Sequence, residues 1–397
     1  MKPTLWLPLI MGANVWVFAL AQENPTEPLP APKPPPSAAE SYTVFAYNDL
    51  GMHCLNKDFS ELCVLPPANT LRAQVIRRGS SPEIIFENLQ VKYSVPGNTQ
   101  SATKTNFWKY AKPLFGVQLP TNVGLFGFGL SGQMQPTSDR DYAAFGIPLT
   151  QITDAGVDDS YQLAKVDVFQ SGVKVASTQN VVPVSWEMSC NQCHKATSRT
   201  TMEGSILVAH DKRHGTNLYA KRPVLCASCH ADPALGAPGV SGVKSLSAAM
   251  HGAHALRMPD QTSENTCYAC HPGPKTQCLR DVHKANGMTC STCHGGMTQV
   301  ANPARRPWQD EPKCGDCHRV PGHEYEQPGK LFRDSVGHNG VKCIVCHNSP
   351  HAIAPSSNPR DNVQAVTKQG HAGTIDTCTV CHTQRPSDPF NHTAHGD

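Results

Sequence analysis

Short runs of β-branched and aromatic residues, separated by turn residues, recur through the first half of the chain. They occupy residues 42–47, 71–76, 84–95, 161–169, 173–176 and 181–184. Residues of these types favour strands, and turn signals at this spacing are typical of an all-β sandwich. We therefore predict an N-terminal all-β, sandwich-like domain over residues 41–185.

One stretch of this region, residues 112–135, is both glycine-rich and apolar. Its centre, residues 123–130, reads Val-Gly-Leu-Phe-Gly-Phe-Gly-Leu. We expect a buried hairpin here. The alternative is an exposed apolar edge that contacts a partner, since exposed apolar patches commonly mark interaction sites.

The first forty residues have the pattern of an exported protein. Lys2 precedes a mostly apolar run over residues 5–20, and residues 19–21 read Ala-Leu-Ala, the small-x-small pattern of a cleavage site. We predict a signal peptide over residues 1–21 and a periplasmic or extracellular location. An uncleaved membrane anchor is the alternative, although Pro8 and Asn14 interrupt a run already short for a span. Residues 22–40 are proline-rich and predict an extended linker.

The composition indicates that the second half of the chain is not built around a large apolar core. Hydrophobic residues make up only 39% of the chain, whereas Pro and Gly number 34 and 30. A chain of this kind needs something other than a large apolar core to hold it together. The net charge of +3, with neutral His, argues against a broad nucleic-acid-binding surface.

Fourteen of the 17 cysteines fall into seven copies of Cys-x-x-Cys-His, here motifs 1 to 7. The motifs span residues 190–194, 226–230, 267–271, 290–294, 314–318, 343–347 and 378–382. Their cysteines are Cys190, Cys193, Cys226, Cys229, Cys267, Cys270, Cys290, Cys293, Cys314, Cys317, Cys343, Cys346, Cys378 and Cys381. Their histidines are His194, His230, His271, His294, His318, His347 and His382.

Cys-x-x-Cys-His is the attachment signature of c-type haem. Two thiols add to the vinyl groups of one porphyrin, and the next residue offers its imidazole to the iron. Zinc sites use Cys-x-x-Cys pairs without requiring the His, and thiol-redox motifs need a βαβ context that is lacking here. Seven covalently attached haems c are therefore expected, with the seven motif histidines as proximal ligands.

With these motifs, residues 190–397 resemble the haem region of multihaem c-type cytochromes, which carry electrons in respiration and to extracellular acceptors. The resemblance implies a heptahaem domain over residues 186–397, with short helices and loops packed around haems. It also implies an electron-transfer protein rather than an enzyme. The partners would be redox proteins or an extracellular acceptor, with other cytochromes, an outer-membrane complex or self-assembly into a filament as alternatives. A reductase with one open haem iron, acting on a small oxyanion or nitrogen compound, is a further alternative.

The sixth coordination position of each haem iron distinguishes an electron carrier from a reductase. A second His bound there leaves no place for a substrate. Twelve histidines lie outside the motifs, and seven are needed. The distal candidates are His210, His214, His251, His254, His283, His338, His371, His392 and His395. His323 and His351 rank lowest. No candidate lies between His294 and Cys314, so motifs 4 and 5 must take distal ligands from distant segments.

Three cysteines lie outside the motifs: Cys54, Cys63 and Cys278. An oxidising compartment favours a Cys54–Cys63 disulfide, which leaves Cys278 unpaired. A small metal site or a distal haem ligand using His53, or free thiols, are the alternatives. The surrounding string at residues 48–54, Asn-Asp-Leu-Gly-Met-His-Cys, resembles the start of a module found in some bacterial multihaem cytochromes, and it implies no activity.

Cations also lie near the motifs in sequence. Arg305, Arg306 and Lys342 are placed where they could pair with haem propionates. Solvated surface positions are the alternative for all three.

Overall fold

The computed structural model describes residues 41–258, 262–321, 323, 325–387 and 392. The predicted signal peptide, the predicted linker and the distal candidate His395 lie outside these residues. Within the described ranges, no helix is both long enough and apolar enough to cross a membrane.

The N-terminal region consists of short strands and one helix. The strands are β1 (Tyr42–Tyr47), β2 (His53–Cys54), β3 (Leu62–Cys63), β4 (Asn69–Arg77), β5 (Glu83–Ile85), β6 (Gln90–Ser94), β7 (Ser131–Gln133), β8 (Gln135–Pro136), β9 (Tyr142–Ile147), β10 (Leu163–Gln170), β11 (Val173–Val181) and β12 (Val184–Ser185). The helix is α1 (Phe107–Phe115).

These strands form two principal antiparallel sheets. The five-stranded sheet has the order β1-β4-β9-β8, with β5 also paired to β4, and the four-stranded sheet has the order β11-β10-β6-β7. Side chains from both sheets, including Val44, Val75 and Val166, meet in one buried apolar cluster. The predicted β-rich character of the N-terminal region is confirmed.

Strand β1 is buried on both faces. Successive side chains of a strand point to opposite sides, so Val44 faces the cluster between the sheets while Phe45 and Tyr47 face outward. The outward side chains pack against Ile344 and Val345 in the second half of the chain. Burying a Phe side chain stabilises a fold by about 1.5–3 kcal/mol, so this outer face joins the two halves firmly.

Two details differ from the sequence-based expectation. Residues 84–95 form two strands in different sheets, and Asn88, with φ +60, lies between them. The glycine-rich stretch is not a hairpin. Turns follow α1, and Gly124 packs so closely that a Cβ would lie 2.1 Å from the carbonyl oxygen of Gly146. The glycines there permit backbone-to-backbone contact, and Phe126 remains 54% exposed.

The second half has only short elements. Its helices are α2 (Met202–His214), α3 (Leu246–His254), α4 (Glu264–Tyr268), α5 (Val282–Ala285), α6 (Cys290–His294), α7 (Met297–Val300), α8 (Cys314–Cys317), α9 (Cys343–His347) and α10 (Val363–Gln369). Its strands are β13 (Val224–Leu225), β14 (Val336–Gly337) and β15 (Val341–Lys342). Few apolar side chains are buried among these residues, and many of those are alanines.

Backbone pairing also joins the two halves. Strand β3 pairs in parallel with β13, immediately before motif 2, whereas β2 pairs in parallel with β12 inside the N-terminal region. On the opposite side, Gln364 of α10 bonds both backbone groups of Ala46, accepting at 2.7 Å and donating at 2.9 Å. The sheets thus contact the second half at both motif 2 and motifs 6 and 7.

Candidate functional site

Each motif forms a single helical turn. In motif 1 the amide of His194 donates to the carbonyl of Cys190 at 2.9 Å, and in motif 5 that of His318 donates to Cys314 at 2.8 Å. Residues three and four apart share one face of such a turn. The two sulfurs and the imidazole of a motif therefore project from the same side.

Every motif histidine faces a histidine from elsewhere in the chain. The distances between ring centroids, in the order of motifs 1 to 7, are as follows: His194–His254 6.3 Å (motif 1), His210–His230 6.3 Å (motif 2), His251–His271 6.1 Å (motif 3), His294–His351 6.1 Å (motif 4), His283–His318 6.1 Å (motif 5), His347–His392 5.6 Å (motif 6) and His338–His382 6.2 Å (motif 7).

This spacing fits a metal ion between two imidazoles. Imidazole–metal bonds are about 2 Å long, so one ion between two facing ring nitrogens separates the centroids by roughly 6 Å. Direct stacking would bring the rings closer. The residues thus fit an iron that takes one histidine on each side and four ligands from a porphyrin.

Hydrogen bonds at Nδ1 leave Nε2 available in several of these rings. His254 Nδ1 lies 2.7 Å from the carbonyl of Met250, and His230 Nδ1 lies 2.7 Å from that of Lys244. His210 Nδ1 lies 2.9 Å from the hydroxyl of Thr216. Ligating histidines commonly use their second nitrogen in this way, which fixes both tautomer and orientation.

Burial favours the neutral form that binds metal in three of the motif imidazoles. It lowers the pKa of His271, His294 and His347 to about 4, and in each case a neighbouring histidine contributes. His351 differs. Burial alone would lower its pKa, but the thiol of Cys278, 3.7 Å from Nδ1, and the carboxylate of Asp281 together outweigh burial and raise the pKa of His351 to about 9.

The motifs lie in a row, as contacts between their cysteines show. Burial and the nearby Cys190 raise the pKa of Cys270 to about 11, and Cys267 shares a hydrogen bond with Cys290. These contacts place motif 1 beside motif 3, and motif 3 beside motif 4. In the same way motif 4 adjoins motif 5, motif 5 adjoins motif 6, and motif 6 adjoins motif 7.

Two helices connect the start of the row. Helix α3 carries His251 toward motif 3 and His254 toward motif 1. Helix α2 follows motif 1 in sequence and carries His210 toward motif 2. The order in space is therefore motif 1, 3, 4, 5, 6 and 7, and α2 links motif 2 to motif 1.

The structure also shows which candidates face no motif histidine. The ring of His214 lies 4.8 Å from that of His210, tilted by 47°, and His371 is half-exposed and lies 3.3 Å from Asp376. His53 lies 3.3 Å from Asp49 within the N-terminal region. His323 lies 5.1 Å from His392, the ring opposite motif 6.

The low rank of His351 is corrected, because its ring faces that of His294. The segment after motif 6 folds back onto motif 4: the carbonyl of His351 accepts from the amide of Arg280 at 2.9 Å, and Ser349 donates to the carbonyl of Asn48 at 2.7 Å. No local spacing signals these contacts. His283 and His338 face motifs 5 and 7 rather than motifs 4 and 6, which directly follow them in sequence.

The predicted Cys54–Cys63 disulfide does not form. All 17 cysteines, each within the described ranges, are free of disulfides. The two strands that carry Cys54 and Cys63 pair with different partners, so the thiols point to different neighbours. Cys278 lies near Cys54 and Cys226 near Cys63, and burial together with these neighbours raises the pKa of both thiols.

The three cations near motifs have different surroundings. Arg305 lines an open cleft together with Cys293 and His294 of motif 4, and Asp310 and Glu311 line the same cleft. Arg306 is exposed and pairs with Asp310 at 2.7 Å. Lys342 is only 2% exposed and points back to the N-terminal region, 3.8 Å from Asp139. Of the three, Arg305 is the one placed to meet a charged group on a porphyrin edge.

Comparison with known proteins gives no assignment: no family model, no curated protein and no solved structure matches this chain. Within the described ranges, no group of three or more His, Cys, Asp or Glu side chains is arranged to hold a metal ion by itself. The histidine pairs are thus the main candidate site.

Proposed function

We propose that this chain is an exported c-type cytochrome that binds seven haems and passes electrons along them. The observation that carries the proposal is the set of seven opposed histidine pairs, one for every Cys-x-x-Cys-His turn. When bound, the haems supply one-electron redox chemistry. Each motif would hold one macrocycle through two thioethers and would orient its iron between two imidazoles.

The packing of the second half supports the same proposal. Its described residues bury few apolar side chains, although they hold a defined backbone over about two hundred residues. Covalent macrocycles would supply the missing apolar surface, as disulfides or metals do in other proteins with small cores. The sheets then act as a rigid support, with β1 packed on motifs 6 and 7 and β3 joined to the strand before motif 2.

The histidine pairs favour electron transfer over reduction of a bound substrate. A substrate needs an open position on one iron, whereas here a second imidazole faces each motif ring. Motifs 4 and 5, which have no candidate between them in sequence, would take His351 and His283. The row of motifs, in contact from one to the next, would let electrons enter at one end and leave at the other. The partners would be other redox proteins or an extracellular acceptor.

Haem content tests the proposal directly. The full chain is produced in a host that exports it and attaches c-type haem, and its intact mass and absorption spectrum are recorded. We expect seven haems per chain and no alkylatable thiols beyond Cys54, Cys63 and Cys278.

Two variants make the test specific. The double variant Cys226→Ser/Cys229→Ser should carry six haems, because motif 2 loses both attachment points. Cys63→Ser changes a buried thiol beside the same motif and should keep all seven. A wild-type chain with no haem, or with motif cysteines that react freely with an alkylating agent, would overturn the proposal.

A further inference from the structure

Asp281 lies between the distal histidines of two consecutive motifs. It is the residue before α5, where its Oδ1 accepts from the amide of Lys284 at 3.0 Å. Its other oxygen, Oδ2, lies 3.1 Å from Nδ1 of His283, the ring that faces motif 5. The Asp281 side chain is only 4% exposed, so water screens this contact poorly.

The chemistry of this partner differs from that at the other distal rings. His251 and His254 direct Nδ1 at backbone carbonyls, His210 at a hydroxyl, and His351 at the sulfur of Cys278. His338 has a buried Nδ1 without a partner among the described residues. Leaving His392 aside, His283 is the one distal ring whose Nδ1 meets a carboxylate.

We propose that Asp281 makes the motif 5 iron the hardest of the seven to reduce, an inference that rests on the proposed function. A carboxylate that accepts the Nδ1 proton raises the electron density of the imidazole and makes it a stronger donor at Nε2. A stronger donor stabilises the ferric iron more than the ferrous iron. The nearby negative charge acts in the same direction, so both effects lower the reduction potential.

A low reduction potential at motif 5 affects electron transfer along the whole row. Motif 5 lies between motifs 4 and 6, so an electron that crosses from one half of the row to the other must pass it. A low potential at this point makes the crossing energetically uphill. Asp281 is therefore a positioning residue that limits transfer between the two ends of the chain.

Asp281→Asn isolates the charge. Asn is as good a helix cap as Asp, and its amide oxygen can still accept from Nδ1 of His283. In the haem-loaded full chain, potentials are measured by spectroelectrochemical titration with EPR detection. We expect the lowest of the seven potentials to rise by about tenfold in the reduction equilibrium constant, about 59 mV for a one-electron couple. The potential of motif 4, whose His351 and Cys293 also lie near Asp281, should rise by less, and the other five potentials and the thermal midpoint should stay unchanged.

Two further variants control the experiment. Asp281→Glu keeps the charge and should restore most of the low potential. Asp232→Asn removes a buried capping carboxylate two residues after His230 of motif 2, where the ring uses the carbonyl of Lys244 instead. It should leave the lowest potential in place.

Failure of the proposed function and failure of the role of Asp281 give different results. A chain without seven haems overturns the proposed function and this inference with it. Seven haems with a lowest potential that Asp281→Asn does not move, or that Asp232→Asn moves equally, overturns the role of Asp281 alone. If Asp281→Asn does not fold, Asp281→Glu and Asp281→Ala are compared instead. Equal rises of the lowest potential in these two variants would also overturn the role of Asp281.

Discussion

Arg280 provides a direct test of how the N-terminal sheets support the motif region. Its side chain is 1% exposed and forms a two-pronged ion pair with Asp361, which is 0% exposed, through bonds of 2.6 and 2.9 Å. A third nitrogen donates at 3.0 Å to the carbonyl of Gly51, in the string before β2, and its guanidinium lies 4.9 Å from the ring centre of Tyr161. The backbone amide of the same residue holds the carbonyl of His351.

We expect Arg280→Met to lower the free energy of unfolding by about 3–5 kcal/mol, because it leaves the buried carboxylate of Asp361 without its partner. The carbonyl of Gly51 also loses its donor, which places the expected loss toward the upper end of this range. Denaturation by guanidinium chloride, followed by far-ultraviolet circular dichroism, measures the loss.

Two controls distinguish the buried charge from a general effect of losing an arginine. Arg306→Met breaks the exposed pair with Asp310 and should leave the free energy of unfolding almost unchanged, because solvent screens this pair. The double variant Arg280→Met/Asp361→Leu removes both charges and should recover most of the loss. Equal effects at the two arginines, or a double variant no more stable than Arg280→Met, would refute the reasoning.

Three further predictions follow from the site and its surroundings. His351→Ala should produce one high-spin haem that binds carbon monoxide, whereas His371→Ala should leave the spectra unchanged; a spectral change in the second variant alone would reverse the assignment. The rings of motif 3 are nearly parallel at 14° and those of motif 2 nearly perpendicular at 84°, so EPR should resolve a rhombic and a strongly anisotropic low-spin signal, and seven identical signals would contradict the ring angles. Burial opposes ionisation of Asp154, but hydrogen bonds from Lys104 and Thr99 lower its pKa to about 2. Because a depressed pKa stabilises the fold only above the unfolded pKa, Asp154→Asn should lower stability at neutral pH by less than about 1 kcal/mol, and denaturation should show this difference disappearing as pH falls from about 4 to about 2; a difference that persists at the acid end would be inconsistent with the ion pair.

Sequence periodicity was sufficient for the β-rich character of the first half, because strands of alternating burial leave a local signal. Strand β10 shows it clearly, with Ala164, Val166 and Val168 buried and the residues between them only partly so. The regular motif turns are also local, since each spans five residues. The histidine partners are not local. His351 reaches motif 4 because its carbonyl is held by Arg280, which lies far upstream in sequence, and because the neighbouring Ser349 bonds Asn48 across 301 residues.

The partners of the cysteines outside the motifs likewise could not be predicted from local sequence. Cys54 and Cys63 are nine residues apart, which made a disulfide between them reasonable, but parallel pairing of β2 with β12 and of β3 with β13 directs the two thiols to separate places. Parallel pairing across more than a hundred residues has no signature in strands only two residues long. The topology that positions these side chains therefore had to come from the structure.

The state of the seven irons tests the central claim most directly. The purified ferric chain would be examined by optical and EPR spectroscopy, alone and then after reduction under carbon monoxide. The account predicts seven haems per chain, only low-spin signals and no change with carbon monoxide, because a second imidazole faces every motif histidine. A high-spin signal in the unmodified chain that shifts when a ligand is added would mean an open iron, and would contradict a chain built only to carry electrons.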